Sequence, residues 1–236
     1  MRAITYRAEF MKNGEKLFDA VMFAGTLGVY TGMKAGAFSV SQNTRYKNKN
    51  PLYLIENIIM MYGGFTENSW QLRQALTECN NYDCAFKMLA YQPMSSLGYN
   101  IVAGTKGDEA AVIARNNFGP AHISALDSAN GTWFVAQANS DSWVDCTGRC
   151  ASAVKNMEKV GQTNISPETI RSEVLYVNPN FNKETLYNTN FVPRDGIIDT
   201  KPLNYTGSID TADDIAPFFM DSLSVFDIMW DLPMLW

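Results

Sequence analysis

Ile4 to Met11 alternates apolar and polar residues and stops at Lys12-Asn13-Gly14, which predicts a strand ending in a tight turn. Leu17 to Gly28 is apolar and closes on Gly25-Thr-Leu-Gly28, with Gly32 and Gly36 soon after. Ala37 to Ser41 alternates again, so the first block reads as antiparallel strands with tight corners. The texture then changes. Pro51 stands where a helix can begin, and Leu52, Leu54, Ile55, Ile58 and Ile59 fall at helical spacing. Thr66 is a candidate N-cap for a helix carrying Trp70, Leu72, Ala75 and Leu76. Asn80-Asn81 breaks it before a second short helix through Ala85, Met88 and Leu89.

Beyond Pro93 the strand pattern returns. Tyr99–Ala103, Ala111–Ala114, Ala121–Leu126 and Trp133–Gln137 are separated by turn clusters, as in a meander of four strands. Helices are predicted over Ala151–Val160 and after Ser166-Pro167, and a late strand over Thr185–Phe191. Strand blocks separated by helices, with further helices after them, imply an α+β fold with two packed sheets. The chain shows no internal repeat. It divides at residue 192: a domain over 1–192, then a tail over 193–236 whose last part interleaves Asp213, Asp214, Asp221, Asp227 and Asp231 with Phe218, Phe219, Phe226, Met229, Trp230 and Trp236. Lys and Arg are absent after Lys201. The tail reads either as an amphipathic helix that docks on a partner or on this domain, or as a loosely packed terminus.

Composition narrows the function classes. The 236 residues are 46% apolar and 18% charged, which provides a sizeable core and excludes a disordered, collagen-like or coiled-coil chain. A net charge of −5, with no basic block, makes nucleic acid or an anionic membrane surface a poor partner. The longest uncharged apolar stretch, between Asp19 and Lys34, is too short for a transmembrane span, which needs about 20 residues. The start of the chain lacks the apolar core of a signal peptide.

The cysteines form two close pairs, Cys79/Cys84 and Cys146/Cys150. Neither has zinc-knuckle spacing, and disulfide staples suit them better. Three Asn-x-Ser/Thr sequons, at Asn130, Asn164 and Asn204, fit a lysosomal or secretory route, although ordinary surface loops also contain such triplets. A Ser-His-Asp or Cys-His nucleophile would need His122, which has no partner motif and reads as a strand or turn residue. No dinucleotide or P-loop motif is present, and the acid pairs Asp141/Asp145 and Asp213/Asp214 have no weight as a glycosidase dyad without geometry. No metal or cofactor is implied.

Resemblance adds what patterning does not. The run Gly25-Thr-Leu-Gly-Val-Tyr-Thr-Gly-Met-Lys-Ala-Gly-Ala-Phe-Ser-Val-Ser41, the pair Ser69-Trp70, Tyr99-Asn-Ile-Val-Ala-Gly-Thr105 and Asn130-Gly-Thr-Trp-Phe-Val-Ala-Gln-Ala-Asn-Ser-Asp-Ser-Trp143 resemble the β-subunit of the acid ceramidase and N-acylethanolamine-hydrolysing acid amidase family. The likeness runs in order from about Met1 to Phe191. It implies an N-terminal-nucleophile hydrolase with a four-layer αββα fold lacking its N-terminal part. The family's cysteine, exposed by self-cleavage, attacks a lipid amide with its own α-amine as base, so no histidine is needed. The implied substrates are ceramides or fatty acyl ethanolamides, the implied compartment the lysosome, and the implied partner an α-subunit-like chain.

Three site residues follow from the same resemblance. Asn139 matches an asparagine that helps stabilise the oxyanion. Arg149 matches the first arginine of the family's Asp-Asp-Arg-Arg, in a shorter loop without the preceding acids. Thr44, in Asn43-Thr44-Arg45, stands where the family has glutamate; it can supply a backbone N–H but not a carboxylate. The family's cysteine and Arg-Asn-x-Asp stretch match positions just before Met1. Two readings follow: an amidase fragment, inactive as written, or a non-catalytic relative acting as a lipid-binding or assembly subunit.

Overall fold

The computed structural model describes residues 2–45 and 52–202; Pro51, Asn204, the Asp213/Asp214 pair and the acidic-aromatic segment lie outside the described residues. The first seven strands build one antiparallel sheet in chain order: β1 (Thr5–Lys12), β2 (Glu15–Phe23), β3 (Thr31–Lys34), β4 (Phe38–Asn43), β5 (Gly98–Ala103), β6 (Ala110–Asn116) and β7 (Gly119–Ala125). The predicted turn is a two-residue hairpin loop. Asn13 and Gly14 both take positive φ (55° and 81°) between the paired Lys12 and Glu15, a backbone that Asn-Gly adopts at little cost.

Three helices fill the excursion between β4 and β5: α1 (Leu52–Tyr62), α2 (Asn68–Glu78) and α3 (Tyr82–Tyr91). α2 and α3 cover one face of the sheet. Leu72, Ala75, Leu76, Ala85 and Leu89 pack there with Phe18, Ala20, Met22, Phe38, Val40, Val102 and Ile113 in one buried core. Glu67 rather than Thr66 caps α2: its carboxylate accepts from the backbone N–H groups of Ser69 and Trp70, both at 3.0 Å. An anion at a helix N-terminus is favoured by the unpaired N–H groups and the helix dipole. Asn81 caps α3, and a disulfide between Cys79 and Cys84 ties the end of α2 to the first turn of α3.

α1 breaks the pattern. Its stripe is helical as expected, but Leu52, Leu54, Ile55, Ile58, Ile59, Met61 and Tyr62 all face solvent, and Met60 is its buried side chain.

The glycine run has a packing reason. An added Cβ on Gly28 would lie 2.7 Å from the Ser69 Cβ and 3.1 Å from a Glu67 carboxylate oxygen; on Gly32 it would lie 2.7 Å from a Leu76 methyl and 3.0 Å from the Asp19 carbonyl. These glycines let the β2–β3 connection and β3 approach α2, where the Val29 N–H donates to the Ser69 carbonyl at 2.9 Å. Gly28→Ala is expected to cost about 2 kcal/mol through overpacking. That would lower the melting temperature by about 4–8 °C, read by circular dichroism; a change under 1 °C would show that α2 yields freely.

The opposite face carries a second, smaller cluster of Tyr99, Val112 and Ala114, with Ile101 and Val135 against it. Here one expectation is corrected. Trp133–Gln137 is extended but joins no ladder; after an isolated bridge between Asp127 and Thr132 it crosses the sheet face, with Val135 packed on that cluster. Apolar alternation suits a segment with one face down on a sheet, whether or not its backbone is paired. α4 (Arg149–Val160) follows, then α5 (Pro167–Thr169), which continues as a wider helical turn over Ile170–Leu175. Ser166 and Thr169 form a reciprocal capping box with Pro167 at the first turn. β8 (Tyr187–Val192) and β9 (Ile197–Pro202) pair as a hairpin that crosses residue 192. The architecture is an α+β sandwich.

Candidate active site

Thr44, Asn139 and Arg149, far apart in sequence, meet in a single chain of hydrogen bonds. Arg149 Nη2 donates to Asn139 Oδ1 at 2.6 Å, and Asn139 Nδ2 donates to the Thr44 carbonyl at 2.8 Å. Thr44 leaves the end of β4, Asn139 lies in the loop after the crossing segment, and Arg149 is the first residue of α4. Both ends of the Asn139 amide are thereby fixed, and its nitrogen carries a second N–H besides the one that bonds to Thr44. Thr44 and Arg149 are exposed and Asn139 is half-buried, so a solute can reach all three. A disulfide between Cys146 and Cys150 brackets Arg149 at the start of α4.

Beneath this exposed relay lies a buried polar network that sequence reasoning did not single out. Arg45 donates through Nε and Nη2 to the two Asp141 oxygens at 2.7 and 2.8 Å, a bidentate pair, while its Nη1 reaches the Asn116 side chain at 2.9 Å. The Tyr99 hydroxyl donates to Asp141 at 2.7 Å. Asn43 Nδ2 donates to the Gln137 carbonyl at 3.0 Å, stitching the end of β4 to the crossing segment. The Arg45 side chain is only 2% exposed. Trp143 closes the cluster, with its ring 5.5 Å from the Arg45 guanidinium and stacked on His122 at 4.4 Å. His122, on β7, is thus an aromatic neighbour of the network. The signal available in the sequence was the opposite charge of two short motifs: Arg45 directly follows Thr44, and Asp141 stands two residues after Asn139.

Burial pulls the Arg45 pKa down, but the hydrogen bond and charge of Asp141 outweigh it, and the net shift is upward. Burial first, and the bond to Asp141 second, push the Tyr99 phenol above its ordinary value. Burial likewise raises Tyr82, to about 12, as well as Tyr176 and Tyr187. These four phenols stay neutral in both folded and unfolded chains below about pH 10, so their contribution to stability is fully present there. Above that pH the unfolded chain ionises first and stability falls as pH rises. The expected result is a urea midpoint that drops between pH 9.5 and 11 on the order of the tyrosine pKa, together with delayed tyrosinate absorbance in the folded protein. Unshifted tyrosinate absorbance would contradict it.

All four cysteines are in disulfides, so no thiol within these 236 residues is free to act as a nucleophile. No group of three or more His, Cys, Asp or Glu side chains among the described residues is placed to hold a metal ion.

No protein-family model matches the chain. Known proteins do. N-acylethanolamine-hydrolyzing acid amidase of Rattus norvegicus is 36% identical over 193 residues, covering 80% of this chain and 52% of that protein. Acid ceramidase of Homo sapiens is 31% identical over 197 residues, covering 80% and 48%. The solved structure of the Caenorhabditis elegans N-acylethanolamine-hydrolyzing acid amidase ortholog superposes with a TM-score of 0.78 at 27% identity, covering 86% of this chain and 88% of that one. The chain belongs to the acid ceramidase and N-acylethanolamine-hydrolysing acid amidase family. It spans about half the length of the curated relatives it matches. The family's N-terminal-nucleophile hydrolase fold accounts for the layered sheet and helices of this acid amidase relative.

Proposed function

We propose that this chain carries the oxyanion side of a site that hydrolyses linear lipid amides, of the N-acylethanolamine or ceramide type. The relay from Arg149 through Asn139 to the Thr44 carbonyl carries the proposal. It leaves one amide N–H aimed by two fixed bonds, the device that lowers the cost of negative charge on a tetrahedral oxygen. In this reading a thiolate from a residue outside these 236 adds to the amide carbonyl, and the carbonyl electron pair moves onto oxygen, where Asn139 donates. Collapse breaks the C–N bond, the amine leaves with a proton from the nucleophile's own ammonium group, and water then hydrolyses the thioester. Thr44 holds Asn139 through its backbone carbonyl, a bond that requires no particular side chain at this position.

An oxidising lysosomal route fits the two disulfides. Asn130 and Asn164 are exposed, as glycan attachment requires. The partner is an α-subunit-like chain. No helix among the described residues is long and apolar enough to cross a membrane. A second reading, a lipid-binding subunit without activity, is favoured by the pairing of every cysteine.

The deciding experiment uses protein purified from its native source. Its terminal residues are read by intact mass, and it is assayed at acid pH with palmitoyl ethanolamide and with ceramide. Hydrolysis by a species that opens with a cysteine supports the first reading. Lipid-amide binding without hydrolysis establishes the second and overturns the first.

A further inference from the structure

Among the described residues, Arg115 is the bulkiest side chain to be fully buried, and its guanidinium meets no carboxylate there. Its Nη1 and Nη2 donate instead to the Ala90 and Gln92 carbonyls. These belong to the last turn and the C-cap of α3, where carbonyls lack intrahelical partners and the helix dipole favours a cation. Burial lowers the Arg115 pKa to about 10, so the group is still charged at neutral and acid pH. A helix end can be capped by a cation that stays in water. Burying the whole guanidinium under the sheet costs far more, which points to a second task.

That task is visible on the other face of the sheet. Ile113 belongs to the core beneath α2 and α3, and Ala114 to the opposite cluster. Alternation therefore sends the Arg115 side chain towards the helices and Asn116 towards the face that carries Arg45. Asn117, 2% exposed, turns back: its Nδ2 donates to the Met94 carbonyl at 3.1 Å, and its own carbonyl accepts from the Met94 N–H at 2.8 Å. Arg115 and Asn117 thus fasten this strand end to the segment leaving α3. Between those two anchors, the Arg115 carbonyl and Asn116 Oδ1 both accept from Arg45 Nη1, at 3.2 and 2.9 Å. The ladder itself holds this end loosely. The β6–β7 register shifts between Ala114 and Arg115, and the residue opposite Arg115 is Pro120, which has no N–H.

We propose that Arg115 is a positioning residue for the Thr44–Asn139–Arg149 relay. Its fork fixes residues 115–117 from the helix side, that strand end aims Arg45, and Arg45 carries the aim to Asp141, two residues from Asn139. The inference rests on the oxyanion reading of Asn139 and extends it to a side chain on the far face of the sheet. Lysine would keep the charge but has no planar fork to offer two carbonyls at once. Charge alone is therefore not enough.

The test uses the nucleophile-bearing protein, assayed well below the melting temperature of every variant. Arg115→Lys should lower kcat about fivefold with KM changed by less than about twofold. In an Asn139→Ala background the same change should lower kcat no further, because the amide it aims has gone. Asn116→Ala removes an Arg45 partner without touching the helix side; it should show the same pattern, and it decides the matter if Arg115→Lys does not fold. Phe18→Leu, in the same core but four strands away, should destabilise the fold and leave kcat unchanged. NMR of the Arg45 Nε–H gives a readout free of turnover: Arg115→Lys should shift this resonance and speed its exchange with water about tenfold. An equal loss of kcat in both backgrounds would make Arg115 a cap of the fold alone and overturn the inference, as would an unmoved Arg45 resonance. An Asn139→Ala variant with wild-type kcat would overturn the oxyanion reading and the inference with it. Failure of the inference alone is distinct: Asn139→Ala is then slow and Arg115→Lys is not.

Discussion

Arg45→Met is expected to lower the melting temperature by roughly 6–12 °C, among the largest effects of any single substitution in this chain. The guanidinium satisfies both Asp141 oxygens and the Asn116 side chain from a position 2% exposed to water. Methionine fills similar volume but leaves the Asp141 carboxylate without its bidentate cation. Breaking a buried pair by removing one partner costs more than the pair contributes; with Asp141 29% exposed, water recovers part of that cost, and about 3 kcal/mol is the expected loss. Thermal unfolding followed by circular dichroism measures it. Adding Asp141→Asn should then cost much less than it does alone, because the stranded charge has gone. A drop below 2 °C for Arg45→Met would show that the network holds nothing together.

For the form bearing the nucleophile, Asn139→Ala should reduce kcat by about 10²–10³-fold with KM little changed. The amide sits at the surface, held by Arg149 and the Thr44 carbonyl, so the melting temperature should move by no more than about 2 °C. Asn139→Asp separates donation from position: it still offers Arg149 an acceptor but has no N–H, and should be as slow as the alanine variant. Arg149→Met keeps the donor and loosens its aim, and a smaller loss, about tenfold, is expected. If Asn139→Ala keeps more than a third of wild-type kcat, the oxyanion assignment fails.

Local chemistry explains what was legible beforehand. The Asn13-Gly14 turn, the Asn80-Asn81 break between two helices and the Ser166-Pro167 start each depend on a residue whose backbone or side chain favours one local geometry, and the structure has all three. A hydroxyl at Thr66 is a common acceptor at a helix start, but the chain uses the next residue, whose carboxylate satisfies two N–H groups at once. Trp133–Gln137 has the composition of a strand, but pairing depends on what lies beside it, which alternation does not encode. Asn139, Arg149 and Thr44 came from family resemblance, and periodicity alone would not have chosen them. Arg45 and Asp141 are 96 residues apart, and their pairing follows only from the sheet register that sets the end of β4 beside the loop after the crossing segment.

That register also governs the order in which the molecule assembles. Within β1–β4 and within β5–β7, neighbouring strands follow one another directly, and these ladders can form from nearby contacts. The seam between β4 and β5 is different, because closing it brings together residues on either side of 44–97. The entropy lost in closing so long a loop grows only logarithmically with its length, and the α2–α3 core against the sheet offsets it. Joining the two halves is therefore the slow, non-local event of folding. Asn43, Thr44 and Arg45 leave β4 at this seam, and their partners Asn139 and Asp141 lie beyond β7. Half-folded chains consequently have no site at all, and a molecule presenting the relay has already closed the seam between β4 and β5.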